Sequence, residues 1–242
     1  MLIWGINPVF EALRARRVKR IRIARGNARI EDVLALAREQ RVPIEKVDPQ
    51  ALDRMARGGV HQGIVADLEP MHDHSVEELV AAAAPDAALV VVLDGIEDPH
   101  NLGAILRTVD AVGAHGVIRQ ARHAAALEGV AAKASAGALS HVKIATVVNI
   151  ARALEELKEA GVWTVGFAGD ATEPYDVVDF TLPTALVVGA EGEGLRRLTR
   201  ERCDRLVSIP MRGTVSSLNV SVATGVALFE AARQRRRGSV TM

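Results

Sequence analysis

Residues 89–118 read LVVVLDGIEDPHNLGAILRTVDAVGAHGVI. An uninterrupted apolar run ends at Asp94, a polar turn through Gly95 and Pro99 follows, apolar residues then recur at helical spacing, and a second short strand begins at Gly116. A strand with no polar alternation is buried on both faces. Strand, helix and strand within about 30 residues form a parallel crossover unit. The stretch therefore predicts a parallel sheet covered by helices, with any ligand at the carboxyl ends of its strands.

The alternation continues downstream. Strands are expected over 141–147 (HVKIATV), 162–169 (VWTVGFAG), 185–190 (ALVVGA) and 205–210 (RLVSIP). Helices are expected over 149–161, 194–203 and from Ser216 to about Arg235, and the Ala-rich stretch to about Ala138 also reads as helical. Upstream, the pattern gives a helix over Pro8–Ala15, a strand over 18–24, a helix over 30–40, a strand over 43–48, a helix from Pro49 and a strand over 63–68. Pro70 and Pro85 bracket one short helix in a polar segment. The expected division is an N-terminal domain over 1–70, a linker over 71–87 and a second domain over 88–242.

With 242 residues, 49% of them apolar and only 3% aromatic, the core must be built from Val, Ile, Leu and Ala, as suits an α/β protein. Cys203 is the sole cysteine, which rules out an intrachain disulfide and points to a reducing cytoplasm. No apolar run approaches the ~20 residues of a membrane span, and the first residues lack a signal-peptide core. The net charge is zero but unevenly spread. Residues 1–60 hold 13 Lys/Arg against 7 Asp/Glu, with Arg14, Arg16, Arg17, Lys19, Arg20, Arg22, Arg25 and Arg29 crowded together, whereas residues 61–100 hold nine acids and no Lys or Arg. Such a basic field attracts polyanions, although charge runs also occur simply as solvated faces.

Three strand ends run into Gly-, Asn- or Ser-rich turns that open helices: after Leu93, after Val188 and after Ile209. All three are expected along one edge of the sheet. None carries a dinucleotide G-x-G-x-x-G at the first strand, a phosphate loop ending in Gly-Lys-Ser/Thr, or a G-x-S-x-G nucleophile elbow. His72 and His74 suggest a metal, but with no further ligand cluster in the sequence they are read as solvent-exposed and no metal is expected. The stripe Val220, Ala223, Val226 and Ala227 on the last helix suits core or interface, core being the default.

The segments DPHNLGAILRT (98–108), VVGAEGEGLRRLTRERCD (187–204) and SIPMRGTVSSLNVSVATGVALFEA (208–231) resemble the three signature motifs of the SpoU/TrmH family of RNA ribose 2'-O-methyltransferases, within the knotted SPOUT superfamily. WGINPVFEAL (4–13) and GVHQGIVA (59–66) resemble the N-terminal domain of the family's rRNA branch, so the likeness spans nearly the whole chain.

The resemblance implies a C-terminal α/β domain with a deep trefoil knot, an exception to the rule that chains do not thread their own loops. It implies a small N-terminal α/β RNA-binding domain of ribosomal-protein type, bound S-adenosyl-L-methionine and a homodimer. The implied substrate is a guanosine in the peptidyl-transferase loop of 23S rRNA, presented as naked rRNA or as a large-subunit assembly intermediate.

By the same resemblance Gly189, Ile209 and Leu218 line the cofactor pocket, and Asn101, Arg107, Glu191, Ser217 and Asn219 are the catalytic set, with Ser217 and Asn219 orienting the reacting end. Ser216 reads as the cap of the last helix. Arg107 is the family's catalytic arginine. A guanidinium with a pKa above ~12 is a poor proton acceptor, so a phosphate-binding and alkoxide-favouring role suits it better. The turn at Ala126–Glu128 departs from relatives, which carry an Asn- or Thr-bearing turn there. The competing readings are a tRNA ribose methyltransferase of the same family, against which the N-terminal motif argues, and a non-catalytic RNA-binding ribosome-assembly protein.

Overall fold

The computed structural model describes residues 2–24 and 28–238. They form two compact units, one of residues up to 71 with 102–107 and 126–141, the other of 72–101, 108–125 and the chain from 142 onward. Arg25 and the side chain of Arg29, both in the basic run, lie outside the described residues.

The first unit opens with β1 (Leu2–Trp4), α1 (Ile6–Arg14), β2 (Val18–Ile23), α2 (Ala28–Glu39), β3 (Ile44–Lys46), α3 (Pro49–Met55) and β4 (Ile64–Leu68). Its sheet has the order β1-β4-β2-β3, with β4 antiparallel to both neighbours and β2 parallel to β3. The helix α1 buries Pro8, Val9, Ala12 and Leu13 on one stripe. At α3 the side chain of Asp48 accepts from the Gln50 N–H at 2.8 Å just before Pro49, a capped start pre-set by the proline ring. The sequence gives no sign of β1, whose three residues are too few to show a period.

Part of the basic run is paired within this unit. Lys19 pairs with Glu69 at 3.1 Å, Arg20 with Glu45 at 3.9 Å, and Arg22 with Asp67 at 2.9 Å and Glu45 at 3.3 Å. Arg17 is half-buried and donates to the carbonyls of Leu139 and Glu69.

The chain continues through α4 (Val76–Ala81), β5 (Leu89–Asp94), α5 (Pro99–Val112), β6 (Gly116–Gln120), α6 (Val130–Ala134), β7 (Ile144–Val147), α7 (Ile150–Glu159), β8 (Trp163–Phe167), β9 (Glu173–Pro174), β10 (Thr184–Gly189), α8 (Arg197–Arg202), β11 (Arg205–Ser208) and α9 (Val220–Gly238). The strands of the second unit form a seven-stranded sheet in the order β7-β6-β5-β10-β8-β11-β9, parallel at every pairing. As its composition predicts, β5 is buried at all six positions. Val90, Val92, Ile118, Ala185 and Val187 form the centre of one core with Leu79 of α4 and Leu154 and Leu157 of α7. Each such aliphatic side chain contributes about 1.5–3 kcal/mol by leaving water.

Two expectations are corrected. The Ala-rich stretch is not a helix to Ala138: α6 covers five residues and a 3-10 turn follows at Ala138–Ser140. Between them Ala136 and Gly137 take φ of 51° and 99°, and a Cβ on Gly137 would lie 2.4 Å from the Glu11 Cβ, so the break is required for α1 to pack there. The last helix begins at Val220 rather than Ser216, because its cap is Asn219, whose Oδ1 accepts from the Ser221 N–H at 2.9 Å.

At its far end α9 is fixed by Arg235. The guanidinium donates to the carbonyls of Ala87, Ala88, Phe180 and Leu182, which lead into β5 and β10 at their amino ends. The expected stripe divides: Val220 and Ala227 are buried, Ala223 and Val226 are half-buried, and Val222 and Phe229 stand more than half exposed. Among the described residues no helix is long and apolar enough to cross a membrane.

Candidate active site

Because the sheet is parallel, β5, β10 and β11 present Asp94, Gly189 and Ser208 at one edge, and the three Gly- and Ser-rich loops leave from that edge as expected. After β10 the chain doubles back, Ala190 and Gly194 exchanging backbone hydrogen bonds at 3.1 and 2.9 Å. A Cβ on Gly189 would lie 2.1 Å from the Gly194 carbonyl, so only glycine lets this turn close onto the strand end. Between the turn and the loop over 209–219 lies a cleft of about 810 Å³, within the ~300–1,000 Å³ of small-molecule sites.

Gly189, Ile209, Ser217 and Leu218 all line this cleft, together with Glu191 and Asn219. The carboxyl end of β8 contributes Phe167, Ala168 and Gly169, a fourth strand end that the sequence reading did not single out, although Gly169 closing that strand marks it. Asp170 and Arg200 close one side as a fork-to-fork pair at 2.8 and 2.9 Å, and this guanidinium holds the Asp170 carboxyl below its ordinary value.

Asn101, Glu191 and Asn219 meet through one side-chain amide. Asn219 Nδ2 donates to Asn101 Oδ1 at 3.0 Å and to the Glu191 carboxylate, while its Oδ1 caps α9. Asn101 is only 6% exposed, so this donor also satisfies a buried oxygen that would otherwise be costly. Its place on α5 comes from Asp98, whose side chain accepts from the His100 N–H at 3.0 Å and starts the helix one residue before Pro99.

A smaller recess of about 270 Å³, lined by Gly95, Asp98, Asn101, Glu191 and Arg196, adjoins the cleft and shares Glu191 with it. Beneath it Asp94, 1% exposed, accepts from the Arg196 N–H at 2.9 Å through Oδ2, and its Oδ1 has no hydrogen-bond partner among the described residues. The sequence reading missed Asp94; a carboxylate closing a wholly buried strand was the available signal.

Arg107 is not brought into this cluster. It follows Asn101 by six residues on α5, about 120° away around the helix axis at ~100° per residue. It is exposed, lines neither cavity, and makes no side-chain hydrogen bond or ion pair among the described residues. Ser216 lines the cleft instead of capping α9. His72 is exposed, as read, whereas His74 is half-buried, and both face Glu78, a third group of metal-ligating type.

The lining suits S-adenosyl-L-methionine. Phe167, Ile209, Met211 and Leu218 offer apolar walls for a purine, the strand ends offer main-chain donors and acceptors, and Glu191 and Glu193 set negative charge beside the place for a cationic sulfonium and ammonium.

Comparison with known proteins agrees with this geometry. Residues 88–229 match the SpoU rRNA methylase family, and residues 2–73 match the RNA 2'-O ribose methyltransferase substrate-binding family. The chain is 46% identical over 241 residues to the 23S rRNA (guanosine-2'-O-)-methyltransferase RlmB of Pseudomonas putida, covering 97% of this chain and 96% of that protein. It is 47% identical over 240 residues to RlmB of Pseudomonas syringae pv. tomato, covering 96% and 95%. Among solved structures, the SpoU methyltransferase AviRb from Streptomyces viridochromogenes in complex with AdoMet superposes with a TM-score of 0.82 at 29% identity, covering 98% of this chain and 91% of that one.

Proposed function

Since the chain belongs to the SpoU rRNA methylase family, we propose that it methylates the ribose 2'-hydroxyl of a guanosine in the peptidyl-transferase loop of 23S rRNA. The observation that carries this reading is the Asn219 amide, which ties Asn101 and Glu191 together at the lip shared by the cleft and the recess.

Bound in the cleft, S-adenosylmethionine supplies a methyl group on a cationic sulfonium. Gly189, Ile209 and Leu218 hold it, largely through main chain. Ser217 and Asn219 would orient its reacting end, and the recess beside Asn101 would take the acceptor ribose. The chain's contribution is chiefly alignment, and orientation of two reactants supplies up to ~7–11 kcal/mol. Arg107, which makes no ion pair among the described residues, would bind the phosphate next to the target and favour the developing alkoxide.

Residues 1–70 form the substrate-binding domain, supported by the family match over residues 2–73; residues 71–87 are the connecting segment and 88–242 the methyltransferase domain. Family membership also supports a trefoil knot in the second domain. The exposed Val222 and Phe229, two turns apart on one face of α9, support a homodimer, which sedimentation at micromolar concentration would show as a species near twice 25.8 kDa. The setting is the cytoplasm, where rRNA is made and where a lone cysteine stays reduced.

The test is transfer of labelled methyl to rRNA, large-subunit assembly intermediates and tRNA from cells lacking the enzyme, followed by mapping of the modified ribose. Label confined to one 23S guanosine supports the proposal. Label on tRNA alone, or none despite cofactor binding, overturns it.

A further inference from the structure

The segment just before α4 is held against β7, the end strand of the large sheet. His74 N–H donates to the Ile144 carbonyl at 3.0 Å, and the Thr146 N–H donates to Asp73 Oδ1 at 2.8 Å. Ser75 then caps α4 in a reciprocal box with Glu78: the Glu78 N–H donates to Ser75 Oγ at 3.0 Å, and the Ser75 N–H donates to Glu78 Oε2 at 2.9 Å. Backbone pairing thus fixes His74, the Asp73 contact tethers the residue next to His72, and the cap fixes the Glu78 side chain.

These three side chains converge. His72 Nε2 lies 3.4 Å and His74 Nδ1 3.6 Å from Glu78 Oε2, the two rings meet edge to face with centroids 4.5 Å apart, and one ligand atom from each residue falls within 4.8 Å of the others. Two imidazoles and a carboxylate with room for water or a fourth ligand are a donor set that suits zinc and its neighbours; magnesium and calcium prefer oxygen alone.

We propose that His72, His74 and Glu78 form a binding site for one divalent transition metal ion of the zinc class. The ion bridges the segment paired to β7 and the first turn of α4, fastening the covering over that edge of the sheet. The site belongs to the opposite end of the strand order from the β8 and β11 ends that line the cleft, so the ion takes no part in methyl transfer.

The test is calorimetric titration of zinc into the full, untagged, chelator-treated chain, with thermal unfolding measured alongside. The wild type is expected to bind one zinc and to melt higher with excess zinc, since a ligand specific to the folded state stabilises it. His72→Ala removes an exposed ring, and Glu78→Gln keeps the carbonyl acceptor that the capping box uses. Both are expected to melt like the wild type without metal. Each should weaken zinc binding at least as much as the ~10–100-fold lost when an outer-shell partner of a metal ligand is removed, and should lose the zinc-dependent rise in melting temperature. Absence of zinc binding by the wild type would overturn the proposal. So would undiminished binding in both variants, because the ion would then sit on other ligands.

Discussion

Asn219 and Asn101, 118 residues apart in the chain, are joined by a 3.0 Å hydrogen bond between their side chains. Two variants separate what Asn219 does as a cap from what it does as a link. Asn219→Ala loses both and should cost about 0.5–2 kcal/mol of stability, with weaker cofactor binding and slower transfer. Asn219→Asp keeps an acceptor for the Ser221 N–H but sets a carboxylate against Glu191 and gives Asn101 no donor. It should be as slow as the alanine variant at neutral pH. Wild-type single-turnover rates in Asn219→Asp would show the link to be dispensable.

Arg107→Lys keeps the charge and loses the planar fork. Methyl transfer should fall by a factor of about a hundred or more, the scale of losing one transition-state donor. Cofactor affinity should barely change, because Arg107 does not line the cleft. Single-turnover methylation beside calorimetric titration of S-adenosylmethionine decides it. A variant whose main defect is cofactor binding would refute the assignment.

At Gly189 an added methyl would meet the backbone of Gly194 at 2.1 Å and the Leu195 nitrogen at 2.4 Å, atoms that cannot swing aside as a side chain does. Gly189→Ala should cost about 1–3 kcal/mol by overpacking and open the 190–194 turn, abolishing cofactor binding in a chain that still folds. Denaturant unfolding and cofactor calorimetry on the same preparation read the two effects. Normal cofactor affinity would exclude this turn from the site.

The N-terminal cations should differ in kind. Arg16 and Arg20 are exposed, so Arg16→Glu and Arg20→Glu together should flatten the dependence of RNA affinity on salt, fewer counterions being released. Arg17 holds two carbonyls, so Arg17→Glu should instead lower the melting temperature. An unchanged salt slope in the double variant would place the RNA elsewhere.

Burial pushes the Cys203 thiol up to about 12, with its Sγ donating to the Thr199 carbonyl at 3.3 Å. At pH 8 the thiolate is then only about one part in ten thousand, and the thiolate is the reactive species. A disulfide reagent such as Ellman's should label native Cys203 on the order of a thousandfold more slowly than the denatured chain, whose ordinary pKa of ~8.5 leaves about a quarter of the thiol ionised at pH 8. Fast labelling of the folded chain would contradict this placement.

The parallel sheet was legible because LVVVLD and ALVVGA admit no solvated face, and the three loops fell on one edge because parallel strands leave no other choice. The cleft lining was legible from the motifs at Gly189, Ile209 and 217–219. What escaped depends on tertiary contact. The start of α9 moved to Val220 since Asn219, tied also to Asn101, makes a better-anchored cap than Ser216. The Ala-rich stretch broke at Gly137 because Glu11, 126 residues earlier, occupies the space a side chain there would need. Glu78 is four residues from His74, yet only the folding of α4 aims its carboxylate at both imidazoles.

The helix α9 is moored at both ends, by Asn219 beside the cleft and by Arg235 to the four carbonyls below β5 and β10. Sixteen residues at ~1.5 Å per residue make a strut of about 24 Å, a little longer than a six-residue strand, so it spans the sheet from its amino to its carboxyl edge. A strut transmits load. Cutting the chain just before Arg235 would remove nothing that touches the cofactor, yet it would free the lower mooring and let the upper one drift, loosening Asn219, Asn101 and Glu191 from a distance of seven strand residues or more.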